Sequence, residues 1–212
     1  MSEHMNEFQV DALTELANMA VNQAAGKLSE LTGRPVRLTI PNIRMLSLAE
    51  LECFLLQDVG PTAPCINQQI KGGFSGDTLL IYPGDSATKL ASILLDEKKD
   101  MTTLSTMERS ALIEGGNVLI NAFMGMVAEV LALPMDFSIP QMFQSSNEIV
   151  RNVLHKAEAG QAYPEDLDRM VALMLDNEMA IEDTDISGHI ALLMDVQTAK
   201  TLIERMEAVW LA

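Results

Sequence analysis

Over residues 8–32 apolar side chains return every three or four positions, the period of a helix with one buried face. Leu13, Leu16, Ala17 and Ala20 mark that face. The pattern stops at Gly33 and Pro35, a glycine-then-proline end that leaves the chain extended, and Pro41 follows inside the extended stretch. Residues 43–56 alternate loosely and predict pairing in a sheet, residues 60–64 a loop. Residues 66–70 and 78–82 predict two strands joined through Gly72-Gly73 and Gly76-Asp77. A short helix is expected over 86–95, and the polar run EKKD at 97–100 closes this half. A second long helix then runs from about 106 to 133, with Leu112, Gly116, Leu119 and Phe123 on its buried face. Gly115, Gly116 and Gly125 each cost this helix about 1 kcal/mol relative to alanine, so they predict close approach of another backbone, in helix-on-helix or helix-on-sheet contact.

The two long helices are one pattern written twice. Sliding the chain by 99 residues lays 11–41 over 110–140 with ten identities: Ala12/Ala111, Leu13/Leu112, Glu15/Glu114, Asn18/Asn117, Asn22/Asn121, Gly26/Gly125, Glu30/Glu129, Pro35/Pro134, Ile40/Ile139 and Pro41/Pro140. After Pro140 the register becomes 112, where Ser75-Gly76 answers Ser187-Gly188, Leu80 answers Leu192 and Leu90 answers Leu202. The second half therefore carries 13 extra residues, placed within 145–166, where 148–157 reads as an additional amphipathic helix with Ile149, Val150, Val153 and Leu154 as its apolar side.

Two copies of about 100 residues are too long for a solenoid, whose units run about 20–50 residues. They predict a single domain over 1–212 made of repeated halves, about 1–100 and 101–212. The fold class expected is α+β, internally duplicated about a pseudo-two-fold axis, with two long helices packed on one side of an antiparallel or mixed β-sheet.

Polar groups inside these apolar helices carry the functional signal. At about 100° per residue, Asp11, Glu15, Asn18 and Asn22 fall in a wedge of about 60° opposite the buried face, and Ser110, Glu114, Asn117 and Asn121 do the same. A solvated face is where duplicated copies drift most freely, yet both have kept Glu and Asn three residues apart, side by side on the helix. A carboxylate can pair with a cation or act as a base. An amide cannot usefully transfer protons but can hold a water in place.

Composition narrows the chemistry. With 14 basic and 30 acidic residues the net charge is -16, which repels a phosphate backbone and argues against nucleic-acid binding. Cys53 and Cys65 have no nearby cysteine or histidine to complete a zinc set and read as small buried thiols in a reducing cytoplasm. The first nine residues lack an apolar signal core, and no run reaches the ~18 apolar residues of a membrane span. A protein soluble inside the cell is expected. Three scattered histidines, His4, His155 and His189, read as surface or incidental, and there is no HExxH, phosphate loop or nucleophile elbow.

The pattern Asp/Ser-x-x-x-Glu-x-x-Asn followed by 22 residues and Pro, present as Asp11, Glu15, Asn18, Pro41 and again as Ser110, Glu114, Asn117, Pro140, resembles the signature of the CheC/CheX/FliY phosphatases of bacterial chemotaxis. The resemblance covers nearly the whole chain and is nearest to CheC, since CheX-like chains carry one motif and dimerise, and FliY-like chains carry an added rotor domain. It implies a CheC-like fold and hydrolysis of the aspartyl phosphate of the response regulator CheY. Glu15 and Glu114 would engage the regulator's active-site lysine, and Asn18 and Asn117 would orient the attacking water. Asp11 and Ser110 would be supporting residues and the two prolines structural. No cofactor of its own is implied, Mg2+ being carried by the regulator. CheD is a further partner that the resemblance suggests, through the extra segment of the second half, although no CheD-binding motif is matched there residue by residue.

Two other readings compete. The middle domain of the flagellar switch protein FliM resembles the same fold, so the chain could be a non-catalytic binding module; retention of Glu and Asn in both copies argues against that. A hard-cation site at Asp11 and Glu15 would have too thin a ligand shell for Mg2+ or Ca2+. Because the duplication supplies its own two-fold relation, a monomer is expected, binding one regulator per half.

Overall fold

The computed structural model describes residues 5–97, 104–158 and 170–211, apart from the side chains of Pro41 and of residues 153–158. The polar run at 97–100, beyond Glu97, and the end of the expected insertion, 159–166, lie outside the described residues.

Helix α1 (Glu7–Thr32) starts at a reciprocal cap: the Asn6 side chain accepts from Gln9 N while the Gln9 side chain accepts from Asn6 N. Helix α4 (Thr106–Val130) starts at the same device built from Ser105 and Glu108, each 99 residues on from its counterpart. The duplication thus begins at the caps, six residues before the first identity. At the other end Gly33 closes α1 in the left-handed region at φ 66°. Its counterpart Ala132 adopts the same region at φ 50°, without the glycine that would relieve it.

After α1 come β1 (Val36–Ser47), α2 (Leu48–Cys53) with a π-helical turn (Phe54–Asp58), β2 (Cys65–Gly72), β3 (Gly76–Ile81) and α3 (Ser86–Leu94). After α4 come β4 (Met135–Phe137), β5 (Gln141–Phe143), α5 (Ser146–Glu158), β6 (Met170–Ile181), β7 (Thr184–Asp195) and α6 (Val196–Trp210). All strands join one antiparallel sheet in the order β1-β6-β7-β3-β2-β4, with β5 beside β4 on β2. The order is a palindrome of the two halves. Each half's opening strand is added to the hairpin of the other, and at the centre β3 pairs with its own counterpart β7. There Leu79 faces Ala191, 112 residues on, so the pseudo-two-fold axis passes through that pair.

The expected strand over 43–56 is half correct. It ends at Ser47, whose side chain caps α2 together with Glu50, and residues 48–58 are helical. The first half thus also has a helical segment between its opening strand and its hairpin, and α5 of the second half enlarges that feature. Helices covering one face only is likewise corrected. Leu80, Tyr82, Leu173, Leu175, Leu192 and Met194 pack under α1, α3, α4 and α6, while Leu79, Ile81, Ala172, Met174, Ala191 and Leu193 pack on the other face with Leu51, Leu55 and Ile149. Two-sided burial is why 171–175 and 190–194 are continuous apolar runs.

Helix α4 is long and apolar enough to cross a membrane by length and composition, although Glu114, Asn117, Asn121 and Glu129 keep it from being a continuous apolar run. It packs on α1 and α3 and on the sheet, and half of its apolar window is buried there.

Of the three α4 glycines, Gly125 has open space around it, so close approach does not explain it. A Cβ at Gly115 would lie 2.8 Å from Leu94 Cδ1, and one at Gly116 only 2.3 Å from Ile66 Cδ1 on β2. The close neighbours are side chains, not another backbone. Gly116→Ala should therefore destabilise the fold by about 1–3 kcal/mol through overpacking. Ala132→Gly should stabilise it by about 0.5–1 kcal/mol by relieving the left-handed residue. Shifts of the denaturant midpoint in opposite directions, at constant slope, check both.

Candidate functional site

Both polar stripes lie on helices of the same layer, since α1 and α4 pack against each other. On α1, Asp11, Glu15, Asn18 and Asn22 are all exposed. None of the four makes a side-chain hydrogen bond or ion pair recorded among the described residues. Glu15 and Asn18 are adjacent on the helix surface and free to engage something outside the chain.

The α4 stripe differs. Ser110 and Glu114 are exposed, but Asn117 and Asn121 are half-buried. The Ser110 hydroxyl donates to Thr106 O of its own helix, 3.1 Å away, a local use that fits a supporting position. Asn117 is held by two donors: Gln68 Nε2 reaches its Oδ1 at 3.2 Å and Asn121 Nδ2 at 3.0 Å. Gln68 Nε2 also donates to the backbone carbonyl of Ser138 at 2.8 Å. Asn121 therefore supports the neighbouring amide from the next turn, and the expected outward wedge turns inward over its second half.

Gln68 was not legible as a site residue. It sits on β2 with Ile66 and Ile70, on the face that α4 covers, and only 2% of it is exposed. Gly116 lets α4 settle onto Ile66, which brings Asn117 within reach. The ladders show why α1 has no such partner. Gln68 pairs with Thr78, whose counterpart at the central axis is Ile190, and Ile190 pairs with Leu175. Leucine stands where the other half has glutamine.

The prolines of the motif mark the same defect in both opening strands. In β1 the register slips between Thr39 and Asn42, around Pro41. In the second half residues 138–140 separate β4 from β5, and the pairing with β2 shifts by one residue across the gap. Ser138, at the start of that gap, bonds back to the Gln69 backbone through both its N–H and its hydroxyl.

No family model matches the chain. CheC1 of Halobacterium salinarum is 25% identical over 206 residues, covering 96% of this chain and 98% of that protein. The CheY-P phosphatase CheC of Bacillus subtilis is 27% identical over 141 residues, 65% of this chain and 67% of that protein. The chain is similar to CheC-type phosphatases along nearly its whole length. Among solved structures, Thermotoga maritima FliY superimposes on this chain with a TM-score of 0.76 at 17% identity, covering 97% of this chain and 98% of that one. The FliM middle domain of H. pylori gives 0.66 at 10% identity over 95% and 99%. These likenesses establish the CheC-like α+β fold.

Other candidate groups fall elsewhere. Cys65 is buried, which pushes its thiol up, but Cys53 is exposed at the end of α2, because the segment expected as strand is helix. Among the described residues no three His, Cys, Asp or Glu side chains gather as a metal site. His4 lies outside the described residues, as does the His155 side chain. His189 is not a surface residue. Its Nδ1 donates to Asp176 Oδ1 at 2.9 Å, its ring meets Phe54 edge to face, and Arg44 bridges to both Asp176 and the Phe54 face.

Burial is the largest influence on His189 and holds its pKa below the ordinary 6.5; the Asp176 hydrogen bond and charge oppose this, and Arg44 adds to it. A histidine kept neutral in the fold binds fewer protons than in the unfolded chain. Its contribution is complete above pH 6.5 and is lost as pH falls from there through the lowered value. Stability should decline as pH falls through 6.5 and below, and His189→Gln should flatten that part of the profile, read as denaturant midpoint against pH.

Proposed function

We propose that this CheC-type chain hydrolyses the aspartyl phosphate of a CheY-type response regulator. The observation that carries the reading is the doubled Glu-x-x-Asn at Glu15/Asn18 and Glu114/Asn117, retained where most of the helix surfaces diverged. The B. subtilis relative named CheY-P phosphatase supports it. An aspartyl phosphate is an activated acyl phosphate, and a regulator that carries its own Mg2+ needs from its phosphatase only a water placed in line with the leaving carboxylate. Neither a nucleophile nor a resident metal is required. Glu15 and Glu114 dock against the regulator's lysine; Asn18 and Asn117 hold the water; Asp11 and Ser110 support the rim. The chain works in the cytoplasm as a monomer, one regulator to each half.

The FliM likeness supports a second reading, a binding module that docks its partner without turnover. Decay of a regulator charged with acetyl phosphate, with and without this protein, separates the two. An unchanged decay rate favours the module.

Asn18→Ala and Asn117→Ala should each slow the accelerated decay, and the double variant should come within about tenfold of the regulator alone while keeping its thermal transition. Full activity in the double variant refutes the assignment. Glu15→Gln and Glu114→Gln should raise KM with little change in kcat, because a docking ion pair is made equally in ground and transition states. The defect should shrink as salt rises, since charges beyond about 8 Å are screened at physiological ionic strength. A fall in kcat at constant KM would instead put the carboxylate in the transition state.

A further inference from the structure

A backbone carbonyl can only accept a hydrogen bond, and this fixes the sense of a chain of amides in the second half. Ser138 O is 2.8 Å from a Gln68 side-chain atom, which must therefore be Nε2. The same nitrogen lies 3.2 Å from Asn117, so the Asn117 atom facing it must be the acceptor, Oδ1. Asn121 Nδ2 adds a second donor to that oxygen at 3.0 Å. With Oδ1 taken from two sides, the NH2 group is the end of Asn117 left for an outside molecule. On α1 no described residue fixes Asn18 in this way.

We propose that Gln68, anchored on the Ser138 carbonyl, is a positioning residue that locks the Asn117 amide with its NH2 group presented. The locked amide donates to the oxygen of a water or of a phosphoryl group and does not accept the water's proton. Two further facts point the same way. Gln68 Oε1 and Asn121 Oδ1 are buried with no partner among the described residues, and each unsatisfied acceptor costs stability because its hydration is lost without replacement. Where the fold needs only packing, at the equivalent position across the axis, the chain uses Leu175. A stability role alone would favour leucine at both.

The role in turnover rests on the phosphatase reading; the locking does not. Side-chain amide 15N relaxation on the wild-type protein tests the locking by itself. The Asn117 and Gln68 NH2 groups should be rigid on the nanosecond scale and that of Asn18 mobile. An Asn117 as mobile as Asn18 overturns the proposal whether or not the protein is a phosphatase.

Turnover is then read one site at a time. In an Asn18→Ala chain, Gln68→Met should lower kcat about tenfold with KM unchanged, the effect of a misplaced but present group. Gln68→Glu should not rescue it, because a carboxylate has no N–H to donate. In an Asn117→Ala chain, Gln68→Met should leave the remaining first-site rate as it was. Loss in both backgrounds marks a general effect on the fold, and a change in KM alone marks a docking contact; either result overturns the positioning role. If Gln68→Met does not fold, Asn121→Leu, which removes only the second donor, replaces it and should also lower kcat in the Asn18→Ala chain.

Discussion

Everything in this molecule depends on the antiparallel pairing of β3 with β7. These strands are counterparts in a duplicated chain, and pairing a strand with its own counterpart fixes a two-fold relation between the halves. The register is set by Leu79 opposite Ala191, with Leu80 and Leu192 turned to one face and Ile81 and Leu193 to the other. A one-residue slip would exchange the residues suited to the two faces along the whole centre of the sheet. Once this pair is fixed, each hairpin presents its outer edge to the other half's opening strand, and α1 and α4 are carried into one layer side by side. The two Glu-x-x-Asn copies are thus placed by a strand pairing far from them in sequence.

The prolines belong to the same arrangement. Proline lacks the N–H that an interior ladder position requires, so it is tolerated where the ladder is already broken. Both opening strands break at their proline, and both resume with shifted register. In the second half the break leaves the Ser138 carbonyl to take Gln68 instead of a strand neighbour. A residue that looks like a backbone device from the sequence is therefore connected, through one carbonyl and one amide, to Asn117.

Local signals made much of this legible. The helices could be read from period and end signals, and the hairpins from glycine punctuation. The repeat register was sound enough that its second value, 112, identifies the pair on the symmetry axis. Extension of the repeat back to the Asn6/Gln9 and Ser105/Glu108 caps was also present in the sequence and went unread. What failed depended on tertiary context. Residues 48–58 carry apolar positions that suit a strand or a short helix, and the Ser47/Glu50 cap decided between them. His189 looked incidental because Asp176 and Arg44 reach it across strands that pair only in the fold. Gln68 could not be found from spacing at all. It lies 49 residues from Asn117 in a different element, and only the packing of α4 on β2 through Gly116 joins them.

Duplication gives two copies of a site an equal start, and the sheet beneath them shows where they parted. A buried glutamine whose carbonyl has no partner among the described residues is a poor way to fill space; a leucine at the same ladder position fills it without that cost, as Leu175 does. The two Glu-Asn pairs nevertheless read alike from outside, with both glutamates exposed. Divergence has fallen on what stands behind the asparagines, leaving the groups a partner would meet in common. One amide is fixed by the core and the other is left to be oriented by whatever docks. The same pair of side chains thus serves either a prepared surface or one completed on contact, and the difference is a single strand residue that no solvent-facing pattern reveals.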